Sequence, residues 1–197
     1  MKEKDPKEAK RELIFQAAVE VFSTRGYHNA TMSEIATAAG IGKGTIYEYF
    51  SSKLRLFQQM MEKGIHTYYA SFDAEELQRK PVQERLRVIM EGHINFCRQQ
   101  SRLTKLFFWE TGIQDEEVKE WMLQMRKEKE ARLQELLSDG IKSGELRDHD
   151  PYIMAFMVSG IIGSVWAPLV LDEWDVDTGL LADSIIDNIM NGIKNKA

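Results

Sequence analysis

The amino-acid sequence predicts an all-α fold, with a small N-terminal three-helix unit followed by a larger C-terminal helical domain. Three observations carry that expectation. Apolar residues recur at three- and four-residue spacing through most of the chain, and nowhere alternate long enough to make a strand. Only four prolines interrupt the 197 residues, which leaves room for long helices. Helix start and stop residues fall between the periodic stretches, where each is needed.

The elements follow in order. Ile14, Ala17, Ala18, Val21 and Phe22 form one helical face, and Gly26 closes it as a left-handed cap would. Thr31 and Glu34 make a capping box, in which the hydroxyl accepts from the Glu34 amide and the carboxylate reaches back to the Thr31 amide. The short helix so opened carries Ile35, Ala36 and Ala39. Gly40 permits a tight turn, and a third helix over residues 42–50 turns Ile46 and Phe50 inward. Ser51 or Ser52 can cap a fourth helix with Leu56, Phe57, Met60 and Met61 on its inner stripe. Beyond Pro81, Leu86, Ile89, Met90, His93, Phe96 and Cys97 share a face, residues 103–112 make a short aromatic helix, and a long helix carries Val118 through Leu133, Leu136 and Leu137. Asp150 and Pro151 start a further helix, and the last shows Leu181, Ile185, Ile186, Ile189, Met190 and Ile193 on one side.

Composition bounds the class. With 43% hydrophobic and 29% charged residues the chain is an ordinary folded protein, far from disorder. The one cysteine, Cys97, allows no intrachain disulfide and points to a reducing compartment. Lys, Glu, Lys and Asp follow Met1, so no signal peptide is visible and the expected address is the cytoplasm. The net charge of −5 argues mildly against a nucleic-acid partner, but residues 1–53 carry +1 and the remainder −6. Residues 152–171 hold no formal charge. A membrane span is one reading of that run. Against it stand Ser159, Gly160, Gly163, Ser164 and Pro168 inside, and Asp148, Asp150, Asp172 and Glu173 outside where a membrane anchor shows Lys or Arg. A helix buried on two sides, against its own domain and a partner subunit, is the better expectation.

Two short helices joined by a glycine turn, the second polar at its start, form a helix-turn-helix suited to the major groove of duplex DNA. Lys43 can donate to guanine O6 and N7, Gly44 lets the backbone approach, and Thr45 offers a hydroxyl and a methyl to thymine. Tyr47, Tyr49 and Lys53 suit phosphate oxygens, as does Thr31 at its helix N-terminus. Residues 26–36, then Ala39-Gly40-Ile41-Gly42-Lys43-Gly44-Thr45-Ile46-Tyr47-Glu48-Tyr49-Phe50 and Lys53, closely resemble the signature of the TetR (tetracycline-repressor-like) family. The resemblance covers roughly the first 60 residues. It departs at Gly42, where the family often has serine, and at Leu54, where a glutamate commonly follows the lysine.

The resemblance implies a bacterial, ligand-responsive transcription regulator, most commonly a repressor. It assigns residues 1–53 to DNA binding and residues 54–197 to ligand binding and dimerisation. Lys43, Gly44 and Thr45 would face bases, while Thr31, Tyr47, Tyr49 and Lys53 would hold phosphates. It also implies a homodimer through the last two helices, where Met157, Gly160, Ile161, Ser164, Ile185 and Ile189 fall, gripping a pseudo-palindromic operator. A small hydrophobic effector would enter a C-terminal cavity, for which Met90, His93, Phe96, Cys97, Phe108, Trp109, Met122 and Met125 are the candidates, though each is also at home in a plain core.

Enzymatic signals are missing. There is no phosphate loop, dinucleotide fingerprint or zinc helix motif, so no catalytic residue, metal or cofactor is expected. His93 and Cys97 sit four apart, which is possible metal-ligand geometry, but no second pair completes a site. The runs 115–117 and 128–130 read as solvated helix faces. The competing readings are an all-helical ligand carrier or enzyme that does not bind DNA, and a membrane-tethered regulator.

Overall fold

The computed structural model describes residues 5–69, 75–108 and 116–192, and every regular element among them is a helix. In chain order these are α1 (Pro6–Asn29), α2 (Met32–Ala38), α3 (Lys43–Tyr49), α4 (Lys53–Tyr69), α5 (Glu75–Gln78), α6 (Val82–Gln99), α7 (Ser101–Phe108), α8 (Glu116–Lys142), α9 (Pro151–Ser164), α10 (Trp166–Val170) and α11 (Thr178–Asn191). They group into two compact units. One takes residues up to 66 together with 102–119, and the other takes 67–101 together with 120 onward.

In the first unit α1 starts at an Asp5 carboxylate that accepts from the Lys7 amide (3.0 Å), with Pro6 in the first turn where its missing N–H costs nothing. Gly26, at φ 74°, breaks the helix where the sequence places a left-handed cap, and one more turn follows before Ala30. The stripe of α1 is buried against α3 and α4 around aromatic rings. Phe15 meets Phe50 at 5.3 Å, and Phe57 meets Phe22 at 5.3 Å and Tyr27 at 4.9 Å. Each such ring contributes on the order of 2 kcal/mol through burial. As expected, Leu56, Phe57, Met60 and Met61 of α4 are buried, and the Ser52 hydroxyl caps the helix by accepting from the Arg55 amide (3.1 Å).

In the second unit Val82, Leu86, Met90, Ile94 and Cys97 of α6 face a core completed by Leu133, Leu136 and Leu137 of α8, Ala155, Val158 and Ile162 of α9, and Leu181, Ala182 and Ile186 of α11. Polar ties link α6 to the C-terminal end: Arg87 pairs with Asp183 (2.5 Å), and Arg98 donates to Thr178 (2.8 Å) and to the Val176 carbonyl. Side chains pack closely over Gly140, where a Cβ would stand 2.6 Å from Val82 Cγ2 and 2.9 Å from Leu146 Cδ1.

Some expectations change. The short α5 was not foreseen. The uncharged run is two helices, α9 and α10, because Pro168 has no N–H to give to the carbonyl four residues back. By length and composition the span Pro151–Val170 is apolar enough to cross a membrane, yet Ala155, Val158, Ile162, Val165 and Leu169 are buried in the unit's own core. Among the described residues that one side of the run is covered and the other is exposed. Residues 109–112 of the aromatic helix and Ile193 of the last stripe lie outside the described residues.

Candidate functional site

The helix-turn-helix assembles from local chemistry. Both limbs of the capping box form at α2: Thr31 Oγ1 accepts from the Glu34 amide (3.2 Å), and the Thr31 amide donates to Glu34 Oε2 (3.0 Å). The Thr31 hydroxyl donates to the same oxygen (2.9 Å). These bonds, with Arg25 at 3.2 Å, hold the Glu34 carboxyl below its ordinary pKa. At the other end Gly40 sits at φ 66°, its amide donating to Thr37 (3.1 Å) while the Ile41 amide donates to Ala36 (2.9 Å). That pair of bonds is the Schellman arrangement, which needs a left-handed residue where this chain has glycine.

The turn delivers α3 with Ile46 buried and Phe50 packed just beyond its end, so the opposite edge looks outward. Lys43, Gly44, Tyr47 and Glu48 are exposed, Tyr47 by 47%, and Thr45 and Tyr49 are half-buried. A Cβ on Gly44 would meet nothing within 4 Å, so no packing inside the chain requires a glycine there. Gly42 caps α3 without a side-chain bond, as expected where serine is replaced.

Two of the expected phosphate contacts are otherwise engaged. Lys53 Nζ donates to three carbonyls, of Tyr27 (2.8 Å), His28 (3.1 Å) and Ala30 (3.1 Å), and stands 4.6 Å from the centre of the Tyr27 ring. An ammonium has three protons to give, so Lys53 serves the corner between α1 and α2 rather than presenting a charge outward. The Thr31 amide and hydroxyl are both taken by Glu34, which a phosphate would have to displace.

Of the expected pocket residues, Met90, His93 and Cys97 come together in the interior of the second unit, with Phe96 half-buried beside them on α6. Met122 and Met125 are half-buried on α8, and Phe108 on α7 in the other unit is 37% exposed. Trp109 lies outside the described residues. The His93 ring Nε2 is 3.6 Å from Cys97 Sγ, and burial, with Lys129 nearby, pushes the imidazole down to about 3, so it is neutral. Lys129 was missed. It sits inside the run 128–130, yet it precedes the buried Leu133 by one turn and is partly buried, and burial lowers its pKa against the pull of Glu130 and Cys97. Spacing to Leu133 and Leu136 was the available signal. Of the residues expected at the dimer contact, Met157 (59%) and Ile161 (38%) are exposed with Gly160 and Ser164, while Ile185 and Ile189 are half-buried against the core.

An all-helical chain with an outward-facing helix-turn-helix and a separate helical core has the build of a DNA-binding transcription regulator. The family comparison agrees: residues 14–60 match the model for bacterial regulatory proteins of the tetR family, and residues 79–167 match a tetracyclin repressor-like C-terminal domain. Between them these cover more than half the chain, which belongs to the tetR family. It is 26% identical to the fatty acid metabolism regulator protein of Bacillus subtilis over 100% of both chains. In structure it is similar to Bacillus subtilis FadR in complex with stearoyl-CoA, at a TM-score of 0.82 and 25% identity over 93% of this chain and 99% of that one. The fatty acid degradation regulator FadR of Bacillus halodurans gives 0.79 and 26% over 99% and 100%.

Proposed function

We propose that the chain is a homodimeric repressor that holds a pseudo-palindromic operator through residues 1–53 and releases it when an acyl-CoA ester occupies residues 54–197. The observation that carries this reading is the end-to-end likeness to a fatty acid metabolism regulator, which runs through the helical domain as well as the helix-turn-helix. An acyl chain is also an effector of the expected hydrophobic kind. The dimer is supported by the uncovered side of α9. Tyr152, Ile153, Phe156 and Met157 are exposed by 61, 48, 68 and 59%, and with Ile161 they make one continuous apolar stripe of the kind soluble monomers rarely show.

On the DNA side, Lys43, Gly44 and Thr45 meet base edges while Tyr47, Tyr49 and the Thr31 corner take phosphates. Two reading helices about 34 to 36 Å apart enter successive major grooves. Effector binding shifts the population toward a dimer whose heads no longer match that spacing, with α4, which runs across the boundary of the two units at residue 66, as the connecting element. The protein works in the cytoplasm without a catalytic centre or resident cofactor.

The test is fluorescence anisotropy on duplexes selected from a random pool by the purified protein. Specific binding that falls steeply with salt, weakens at least about tenfold in Lys43→Ala, and is relieved by palmitoyl-CoA is expected. Failure to select any duplex refutes the regulator, and operator affinity unmoved by palmitoyl-CoA refutes the effector.

A further inference from the structure

In the first unit one guanidinium on α1 touches both α4 and the end of α3. Arg11 donates from Nη2 to Gln59 Oε1 of α4 (2.5 Å), and its Cζ stands 5.3 Å from the centre of the Phe50 ring, just past α3, and 5.7 Å from that of Phe15. Next to it in sequence, Glu12 pairs with Lys63 of α4, whose Nζ lies 5.3 Å from the Phe15 centre. Phe15 and Phe50 are buried, while Arg11, Glu12 and Gln59 are half-buried. None of the DNA contacts proposed above uses these groups.

We propose that Arg11 is a positioning residue that makes α3 and α4 move as one piece, and so carries the effector's displacement of α4 to the reading helix. The inference rests on the effector reading above and adds the residue through which α4 acts. Only residues 50–52 join α3 to α4, and so short a link fixes a distance but leaves an angle free to change through its backbone dihedrals. Such a hinge keeps its angle where a third contact spans it. Arg11 spans this one, since Phe50 lies on one side of the link and Gln59, in the second turn of α4, on the other. The Phe15–Phe50 contact alone does not fix the angle, because apolar burial has no preferred direction. A hydrogen bond, by contrast, weakens steeply off its line, and a cation keeps its hold only within about 6 Å of a ring centre. The Glu12–Lys63 pair repeats the tie four residues further along α4, close to the unit boundary at residue 66.

The experiment measures operator affinity by fluorescence anisotropy, with and without saturating palmitoyl-CoA, for the whole chain as wild type, Arg11→Met and Gln59→Leu, and records thermal unfolding of each. The ratio of the two affinities is the coupling, and a merely structural role lowers the unfolding temperature without moving that ratio. The expected result in both variants is an affinity without palmitoyl-CoA within about threefold of wild type and a ratio reduced at least about fivefold. A ratio within about twofold of wild type in either folded variant overturns the proposal while leaving the effector reading intact. A salt slope lower by about one in Arg11→Met puts the guanidinium on a phosphate and overturns the proposal too. Wild-type operator binding that palmitoyl-CoA does not relieve overturns the effector reading, and this proposal with it. In case Arg11→Met does not fold, Gln59→Leu breaks the same bond from the α4 side and is judged by the same ratio.

Discussion

Acidification should weaken the folded chain through a single buried ring. His93 titrates near 3 in the folded state against 6.5 when unfolded, chiefly because burial penalises the imidazolium. Between those values the unfolded chain binds a proton that the folded chain refuses, so stability present above pH 6.5 is lost as the pH falls toward 3. At pH 5 the unfolded imidazole lies about 1.5 pH units below its midpoint, and at about 1.36 kcal/mol per unit the loss is about 2 kcal/mol. Because pH 5 lies well above the folded value, that figure depends on the unfolded imidazole alone. Carboxylates also titrate as the pH falls, so the measurement has to be a difference between proteins. Denaturant unfolding of wild type and His93→Gln at pH 7 and pH 5, at one fixed protein concentration as the proposed dimer requires, isolates the ring. Wild type should lose about 2 kcal/mol more than His93→Gln over that interval. Equal losses in the two proteins would show that the imidazole charges freely in the folded state, and the neutral cluster in the second unit would have to be abandoned.

Three further outcomes follow from the packing. Lys53→Met should lower the unfolding temperature, at a cost of about 2 kcal/mol for its charge-assisted bonds, while leaving the salt dependence of operator binding unchanged; a phosphate contact would instead reduce that slope by about one. Gly140→Ala should destabilise by about 1 to 2 kcal/mol in denaturant titration, because the close approach of Val82 and Leu146 outweighs the roughly 1 kcal/mol that alanine gains in helix propensity. Glu173 is the one non-glycine residue at positive φ among those described, at 51°, so Glu173→Gly should stabilise by about 0.5 to 1 kcal/mol in the same assay.

What the sequence disclosed and what it hid divide along range. The capping box at Thr31, the left-handed glycines 26 and 40 and the inward Ile46 depend on neighbours a few residues away, so the turn and the outward edge of α3 were legible before any coordinates. The intrachain bonds of Lys53, expected at a phosphate, were not legible because the carbonyls it binds lie 23 to 26 residues earlier, and nothing in its own surroundings announces them. Lys129 was hidden by its flanking glutamates, which dominate a local reading although the helical turn places it over Leu133. The uncharged run gave both of its faces as apolar, but periodicity alone does not say which neighbour covers which face.

The Lys53 tie has a consequence for how movement is passed along the chain. One ammonium belongs to the first residue of α4 and clasps the segment that leads into α2. The start of α4 is therefore held twice, by the chain through residues 50–52 to α3 and by the clasp to the root of α2, as a tent pole is held by its peg and by a guy line. Severing that clasp removes the second of these ties and leaves the first in place.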